Sequence, residues 1–225
     1  MALTDNLVFY AKLDEASGNR VDEVSATVLT DNNTVTSNPG KLVTSAQFTA
    51  ANSEYLSKTD NAQLSSGDID FTWTGWFYLD SLGAQRSVFG KSDNATVDEY
   101  RLLILATNVP TWYVNNTGVQ ASTFGACSAS TWYFFCGQYD ATNNLAKISI
   151  NNGAFDTVSQ TPGIDTAHPF NIGANNGSAP YMNGRVDELG FWKRLLTAGE
   201  ITQLYNAGNG LAYPFSTPSS FFLMF

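Results

Sequence analysis

The acidic side chains of this chain do not provide the pair that hydrolysis of a glycosidic bond requires. That reaction takes one carboxyl group as acid and a second as nucleophile or base, held a few ångströms apart. Asp187 and Glu188 are neighbours on a predicted strand, so we expect them to point to opposite faces of a sheet. Glu99 has only the adjacent Asp98 beside it. The sequence therefore predicts no catalytic carboxylate pair.

The single histidine and the two cysteines offer no other catalytic arrangement. His168 has no serine or cysteine partner that spacing identifies, and one histidine cannot build a zinc cluster. A disulfide between Cys127 and Cys136 would close only a small loop, so a pair of reduced, half-buried thiols is favoured. We predict that the protein is not an enzyme.

Aromatic and amide side chains instead favour binding. Trp112, Tyr113 and Tyr100 lie on predicted strands, while Asn175 and Asn176 lie in a loop rich in Asn, Gly and Ser. Flat rings beside amide groups suit carbohydrate, because a sugar ring stacks on its apolar face and hydrogen bonds through its hydroxyls. The alternative for each aromatic residue is packing in the core. These five residues are the predicted carbohydrate-binding set.

Composition narrows the possible partners. The 225 residues are 43% hydrophobic and 13% aromatic, which excludes a disordered chain and suits one large domain. With 20 acidic against 11 basic residues the formal net charge is −9, which disfavours nucleic acid as a partner. No apolar window is long enough to span a membrane. Residues 1–15 lack the features of a cleaved signal peptide, so no export signal is predicted.

Periodicity predicts many short strands and one helix. Asp70 to Leu79 is apolar on both alternations, which indicates a central strand covered on both faces. The segments around Gln47-Phe48 and Glu54-Tyr55-Leu56 are predicted to form a short hairpin. Arg185 to Trp192 predicts a strand that leads into a helix capped by Thr197 and Glu200. With no alternation of helices and strands, the fold class is an all-β, two-sheet antiparallel jelly-roll sandwich with one short C-terminal helix.

Several short motifs resemble, in order, the laminin-G-like domains of the concanavalin A-like lectin/glucanase superfamily. They cover roughly residues 7 to 211 and are Gln47-Phe48 through Glu54-Tyr55-Leu56, Phe71-Thr72-Trp73-Thr74-Gly75-Trp76, Val88-Phe89-Gly90-Lys91, Trp132 through Tyr139-Asp140, Asn171-Ile172-Gly173, and Gly184-Arg185-Val186-Asp187-Glu188 through Leu195-Leu196-Thr197 and Glu200-Ile201. The resemblance implies two curved sheets, a groove on the concave one, and rim loops that often hold calcium and ligand. The glucanases of that superfamily carry two glutamates flanking an aspartate on one strand, and that pattern is absent here.

Calcium is the cofactor that the resemblance implies. Calcium prefers oxygen ligands, and domains of this type often use an aspartate of the last strand with one from an N-terminal loop. By that resemblance Asp187 and Asp22 are the candidates. The equally weighted alternative for Asp187 is a buried carboxylate that accepts hydrogen bonds from backbone N–H groups.

The chain is predicted to comprise a sandwich domain, residues 1–211, and an apolar tail, residues 212–225. The tail docks on its own sandwich or on a partner through its last five residues, Phe221, Phe222, Leu223, Met224 and Phe225.

The tail, the single domain and the missing export signal favour a non-catalytic virion surface protein, namely a phage decoration, fibre or tail-associated protein. It would be made in the host cytoplasm and would contact other virion subunits or copies of itself, with a cell-surface glycan as a further partner. The alternative is a free-standing, calcium-assisted carbohydrate-binding lectin or adhesin domain, which would be extracellular.

Overall fold

Two antiparallel sheets packed face to face form the protein. The computed structural model describes residues 1–93 and 97–215. Within these ranges the helix α1 spans Ala198–Tyr205. The strands, numbered in chain order, are β1 (Leu7–Ala11), β2 (Arg20–Val21), β3 (Val28–Asn32), β4 (Thr36–Pro39), β5 (Thr44–Phe48), β6 (Tyr55–Lys58), β7 (Phe71–Leu79), β8 (Arg86–Ser92), β9 (Asp98–Ile104), β10 (Pro110–Val114), β11 (Thr117–Gln120), β12 (Trp132–Asp140), β13 (Leu145–Ile150), β14 (Asp156–Ser159), β15 (Phe170–Ile172) and β16 (Gly184–Trp192).

The order of the strands is that of a jelly roll. The first sheet runs β14-β13-β12-β7-β16-β5-β4, and β1 also pairs with β16. The second sheet runs β11-β10-β9-β8-β15-β6-β3-β2. Strands distant in the chain are neighbours in both sheets, and the central pairs β7 with β16 and β8 with β15 are antiparallel. The predicted fold class, an all-β antiparallel jelly-roll sandwich with one short C-terminal helix, is confirmed.

Strand β7 is central and covered on both faces, as its two apolar alternations predict. It lies between β12 and β16. Trp73 belongs to the core between the sheets, where its ring stacks on Phe191 with centroids 4.4 Å apart and on Phe170 at 5.3 Å. Trp76, on the other face, belongs to a second apolar cluster outside the sheet. The first sheet is therefore buried on both sides along its centre.

The second apolar cluster lies under α1 and the N-terminal residues. Thr197 and Glu200 form the predicted capping box, and Leu196 and Ile201 are both buried in this cluster. Trp192 donates its indole N–H to the backbone carbonyl of Leu3 at 2.6 Å, which ties the N-terminus to the same face. As a result, the outer face of the first sheet is covered at its centre.

One predicted element pair is wrong. The segments at Gln47 and Tyr55 were expected to form a hairpin, but β5 pairs with β4 and β16 in the first sheet, whereas β6 pairs with β3 and β15 in the second. A 3₁₀ turn at Ala50–Asn52 carries the chain from one sheet to the other. Hydrophobic alternation marks both strands equally well, but it does not say which sheet each joins.

The last described residues pack on the sandwich. Tyr213 stacks on Tyr10 with ring centroids 5.0 Å apart, and Phe215 meets the same ring edge-on at 5.3 Å. The predicted docking residues Phe221, Phe222, Leu223, Met224 and Phe225 lie outside the described residues. Cys127 and Cys136 are both free, and both are buried rather than half-buried. None of the helices in the described ranges has the length and hydropathy needed to cross a bilayer.

A buried ion cluster closes one end of the sandwich. Lys91 and Glu99 are both fully buried, and the Lys91 ammonium lies 2.7 Å from the Glu99 carboxylate. Glu99 also accepts hydrogen bonds from the backbone N–H groups of Ser66 and Thr166, at 2.6 and 2.9 Å. Asp60 lies 2.8 Å from the same ammonium. The cluster thus fixes two loops over the end of the core.

Replacing Lys91 with alanine should strongly destabilise the protein. Glu99 would stay buried without its counter-charge, and breaking a buried pair in this way costs ~3–5 kcal/mol of unfolding free energy. Chemical denaturation at neutral pH measures the loss. The matched control is Lys12→Ala, because Lys12 pairs with Glu23 at 3.6 Å on the surface and such pairs contribute at most about 1 kcal/mol. Equal losses for the two variants would contradict the assigned role of Lys91.

Candidate functional site

Two of the predicted carbohydrate-binding residues lie in the core. Trp112 and Tyr100 are both 0% exposed. The Trp112 indole N–H donates to the carbonyl of Gln138 at 3.3 Å, and the Tyr100 hydroxyl donates to the carbonyl of Leu64 at 2.7 Å. A ring enclosed in this way has no face free for a sugar, so their predicted roles are wrong. Aromatic residues occupy both alternations of the strand, and the pattern therefore did not show which of them face inward.

Tyr113 lies on the opposite face of β10 and remains half-exposed. It belongs to a row of outward-facing residues that the strand register aligns across the second sheet, namely Tyr113, Arg101, Gly90, Asn171 and Ser57. The row crosses five strands, which corresponds to ~19 Å at the usual strand spacing. We call this outer surface of the second sheet the polar face.

Two contacts hold the Arg101 side chain on the polar face. Its guanidinium lies over the Tyr113 ring, 4.7 Å from the centroid, and Nη2 donates to Asp98 at 2.9 Å. Burial raises the pKa of Asp98, although the guanidinium opposes that shift. Arg101 Nε and Thr111 Oγ1 on the same face are buried and have no hydrogen-bond partner among the described residues. Because these two atoms are buried, the ordered pair of the Tyr113 ring and the Arg101 guanidinium is what this part of the face presents to solvent.

The predicted asparagine loop flanks this face. Asn175 and Ser178 close a tight turn through two backbone hydrogen bonds of 3.0 Å. Asn175 is buried and its amide oxygen accepts a hydrogen bond from Ser92, so it holds the loop and does not face solvent. Asn176 at the tip of the turn is exposed. Of the five predicted residues, the structure leaves Tyr113 and Asn176 accessible.

Sequence reasoning missed Arg101 and Asn171, which the strand register brings beside Tyr113 and Ser57. Tyr55 and Tyr181, with ring centroids 6.5 Å apart, form the boundary near the Asn176 turn and were also missed. Once Trp112 is placed in the core, alternation assigns Tyr113 to the outer face and Arg101 opposite it. The pairing of strands distant in the chain carries no such local signal.

Asp22, one of the two predicted calcium ligands, is occupied by protein donors. Its carboxylate accepts from the backbone N–H groups of Tyr10, Val24 and Ser25 at 2.6, 3.0 and 2.8 Å, and from the Gln63 amide at 3.1 Å. These donors direct their positive hydrogens at the oxygens that a cation would need. Asp22 therefore fits a loop-organising role better than a metal site.

Asp187, the second predicted ligand, is fully buried. Its Oδ2 accepts from the backbone N–H groups of Lys41 and Leu42 at 2.7 and 3.0 Å, as the alternative to calcium supposes. Its Oδ1 has no partner among the described residues. Burial, followed by the charge of Glu188, raises the pKa of Asp187 to about 8.

Asp187 and Glu188 do not point to opposite faces, which corrects the expectation from strand alternation. A β-bulge lies between Asp187 and Gly190, and Glu188 adopts a left-handed backbone conformation with φ of 51°. Asp187 pairs with Trp76 and Glu188 accepts a 2.5 Å hydrogen bond from the Tyr10 hydroxyl, so both lie on the outer side of the first sheet. Burial raises the pKa of Glu188 to about 7.

The two predicted calcium ligands do not meet in one site. Asp187 has Glu188 and Asp14 as its charged neighbours, whereas Asp22 is bonded to Tyr10 and Gln63. Within residues 1–93 and 97–215, no group of three or more Asp, Glu, His or Cys side chains is arranged to hold a metal ion. The donor sets thus do not fit calcium, and calcium binding stays a prediction.

Asp187→Asn should change how stability depends on pH. The asparagine oxygen still accepts from Lys41 and Leu42 but cannot ionise. In the folded wild type the raised pKa keeps a proton bound that the unfolded chain, with a pKa of ~3.9, releases. The free energy of unfolding of the wild type should therefore fall as the pH rises from about 4 through about 8. The variant should lack the part of this fall that is due to Asp187. Urea denaturation at several pH values measures it.

The control is Asp140→Asn, because the Lys147 ammonium lowers the pKa of Asp140 and the sign reverses. Asp140 contributes stability above its unfolded pKa, and that contribution is lost as the pH falls. Parallel stability curves for wild type and Asp187→Asn would contradict the assignment of a proton to Asp187.

Comparison with solved structures shows likeness in fold. The binding domain of Paraclostridial Mosquitocidal Protein 1 superposes with a TM-score of 0.72 at 17% identity, over 92% of this chain and 53% of that one. Domain 4 of AbnA, a GH43 extracellular arabinanase from Geobacillus stearothermophilus in complex with arabinotriose, gives 0.67 at 16%, over 88% and 97%. The binding domain of Botulinum Neurotoxin DC in complex with SialylT gives 0.69 at 12%, over 92% and 52%. The chain thus spans about half the length of the first of these structures.

Comparison with curated protein sequences finds no match. A family model, Laminin_G_3, described as the concanavalin A-like lectin/glucanases superfamily, matches residues 49–202, which is more than half of the chain. The match includes β7, β12 and most of the capped helix that carry the motifs of the resemblance. The chain belongs to the laminin-G-like domains of the concanavalin A-like lectin/glucanase superfamily.

Proposed function

We propose that this chain is a non-catalytic glycan-binding domain that holds its ligand on the polar face. The observation that carries the proposal is the row from Tyr113 to Ser57, whose half-exposed members are Tyr113, Arg101 and Ser57. The outer surface of the other sheet is covered at its centre by α1. The polar face is thus the broad polar surface that the fold leaves on a rigid sheet.

The chemistry of the polar face suits a ligand rich in hydroxyl groups. The Arg101 charge is balanced by Asp98, at 2.9 Å, so the face does not carry a concentrated charge of either sign. The half-exposed Ser57 and the exposed Asn176 offer neutral donors and acceptors. A sugar hydroxyl both donates and accepts, so it can pair with the hydroxyl of Ser57 and with the side-chain amide of Asn176. Solved structures of similar fold with arabinotriose and with SialylT support the same ligand class.

The positions of the carboxylates support a non-catalytic role. Asp98 faces outward to Arg101, whereas the neighbouring Glu99 turns inward to Lys91. Asp187 and Glu188 share a face, but they are 0% and 5% exposed and lie beneath other chain segments. None of these pairs places two carboxyl groups on one accessible surface, as glycoside hydrolysis requires.

Glycan binding is tested on an array of immobilised oligosaccharides, followed by calorimetric titration of the best hit. Tyr113→Ala and Arg101→Met should each weaken affinity at least ~10-fold, equivalent to about 1.4 kcal/mol, because each breaks the stacked pair. Val43→Ser is the control, since Val43 is 81% exposed and distant in the topology from this sheet. Unchanged affinity in both folded variants would overturn the proposal.

We also propose that the protein attaches to a virion, which would place it on the virion surface. This proposal is supported by the apolar sequence Phe221, Phe222, Leu223, Met224 and Phe225 in the tail. Deleting residues 216–225 should reduce the mass of any assembly measured by light scattering and leave glycan binding intact. An assembly of unchanged mass would remove the support for docking through the tail.

A further inference from the structure

A second row of half-exposed side chains crosses the first sheet. Trp132, Tyr78, Arg185 and Gln47 lie side by side on β12, β7, β16 and β5, in direct register. We call these four residues the aromatic row. All four are half-exposed, while Phe134 and Trp76, two positions along the same strands, are buried in the cluster under α1. The row therefore lies where the cover over this sheet ends.

Contacts within the aromatic row hold it in place. The rings of Trp132 and Tyr78 have centroids 5.4 Å apart and are tilted by 55°. The Arg185 guanidinium lies 4.2 Å from the centroid of Tyr78. Arg185 Nε donates to the Gln47 side chain at 3.1 Å, and the Gln47 amide donates to Asp80 at 2.9 Å. A ring and a chain of polar groups are thus fixed at the same level above the sheet.

Cross-strand stabilisation alone explains only part of this arrangement. Tyr78 and Arg185 each contact both of their neighbours in the row, as in a stabilising ladder. Trp132 ends the ladder at the first residue of β12, half-exposed, and its indole N–H makes no hydrogen bond among the described residues. Arg185 Nη2 likewise has no hydrogen-bond partner among them. Trp132 thus offers a flat apolar ring, and Arg185, two strands away in the same row, offers a donor, which together suit a chain of sugar units.

We propose that the aromatic row is a second glycan-binding site, separate from the polar face, which takes a short neutral oligosaccharide. The apolar face of one sugar unit packs on Trp132, and hydroxyls of the following units bond to Arg185 Nη2 and to the Asp80 carboxylate. A neutral ligand is favoured because Asp80, joined through Gln47, offsets the Arg185 charge. The ligand class is that of the proposed function, but the residues lie on the opposite sheet.

The test follows the indole N–H signal of Trp132 by NMR. The full chain is titrated separately with cellopentaose, maltopentaose, arabinopentaose and chitopentaose, and Trp132→Phe identifies the signal. A saturable shift of that signal is expected with at least one probe. Arg185→Met and Tyr78→Ala should weaken the titration at least 10-fold. The indole signals of buried Trp73, Trp112 and Trp192 should stay in place and report an intact fold.

The combined Tyr113→Ala and Arg101→Met variant separates the two sites. If the inference is correct, this variant keeps the Trp132 shift with unchanged affinity, whether or not the polar face binds any glycan. The inference is overturned if no probe shifts the Trp132 signal, or if the shift disappears in the combined variant. If the polar face does not bind glycan, the combined variant should have wild-type affinity on the array. That result would contradict the proposed function but not the inference about the aromatic row.

Discussion

The organisation of the molecule depends on the central strands of the first sheet, which are apolar on both faces. On the inner face, Trp73 of β7 stacks on Phe191 of β16 and on Phe170 of the second sheet. On the outer face, Trp76 and Trp192 are also buried. The N-terminal residues and α1, including its Tyr205, cover them. Because the centre of this outer face is covered, recognition on the first sheet is confined to its margin, whereas the second sheet has the broader open outer surface.

Local patterns predicted what local physics decides. The two apolar alternations of β7 and the capping box of Thr197 and Glu200 were correct, because burial of a strand and satisfaction of helix N–H groups depend on neighbouring residues. Pairing between segments distant in the chain was harder to predict from the sequence. The expected hairpin at Gln47 and Tyr55 failed because each strand found partners from elsewhere in the chain, which no short window encodes.

Side-chain direction was the second limit. Trp112 and Tyr113 are adjacent and both aromatic, so alternation required one to face inward without showing which. At Asp187 and Glu188 the alternation rule itself failed, because the bulge and the left-handed conformation of Glu188 turn both carboxyl groups to one side. The bulge depends on how β16 pairs with β7 and β1. Position 188 is not a glycine, so the sequence does not indicate a left-handed conformation there.

The polar face and the aromatic row lie on the outer surfaces of two different sheets, which face in opposite directions. The two sheets are ~10 Å apart. One short oligosaccharide cannot touch both surfaces at once. A domain occupied on both sides would join two separate polymer strands and act as a cross-link between them. Each added copy would then extend a mesh, so the material expected at high occupancy is a network rather than a set of discrete complexes.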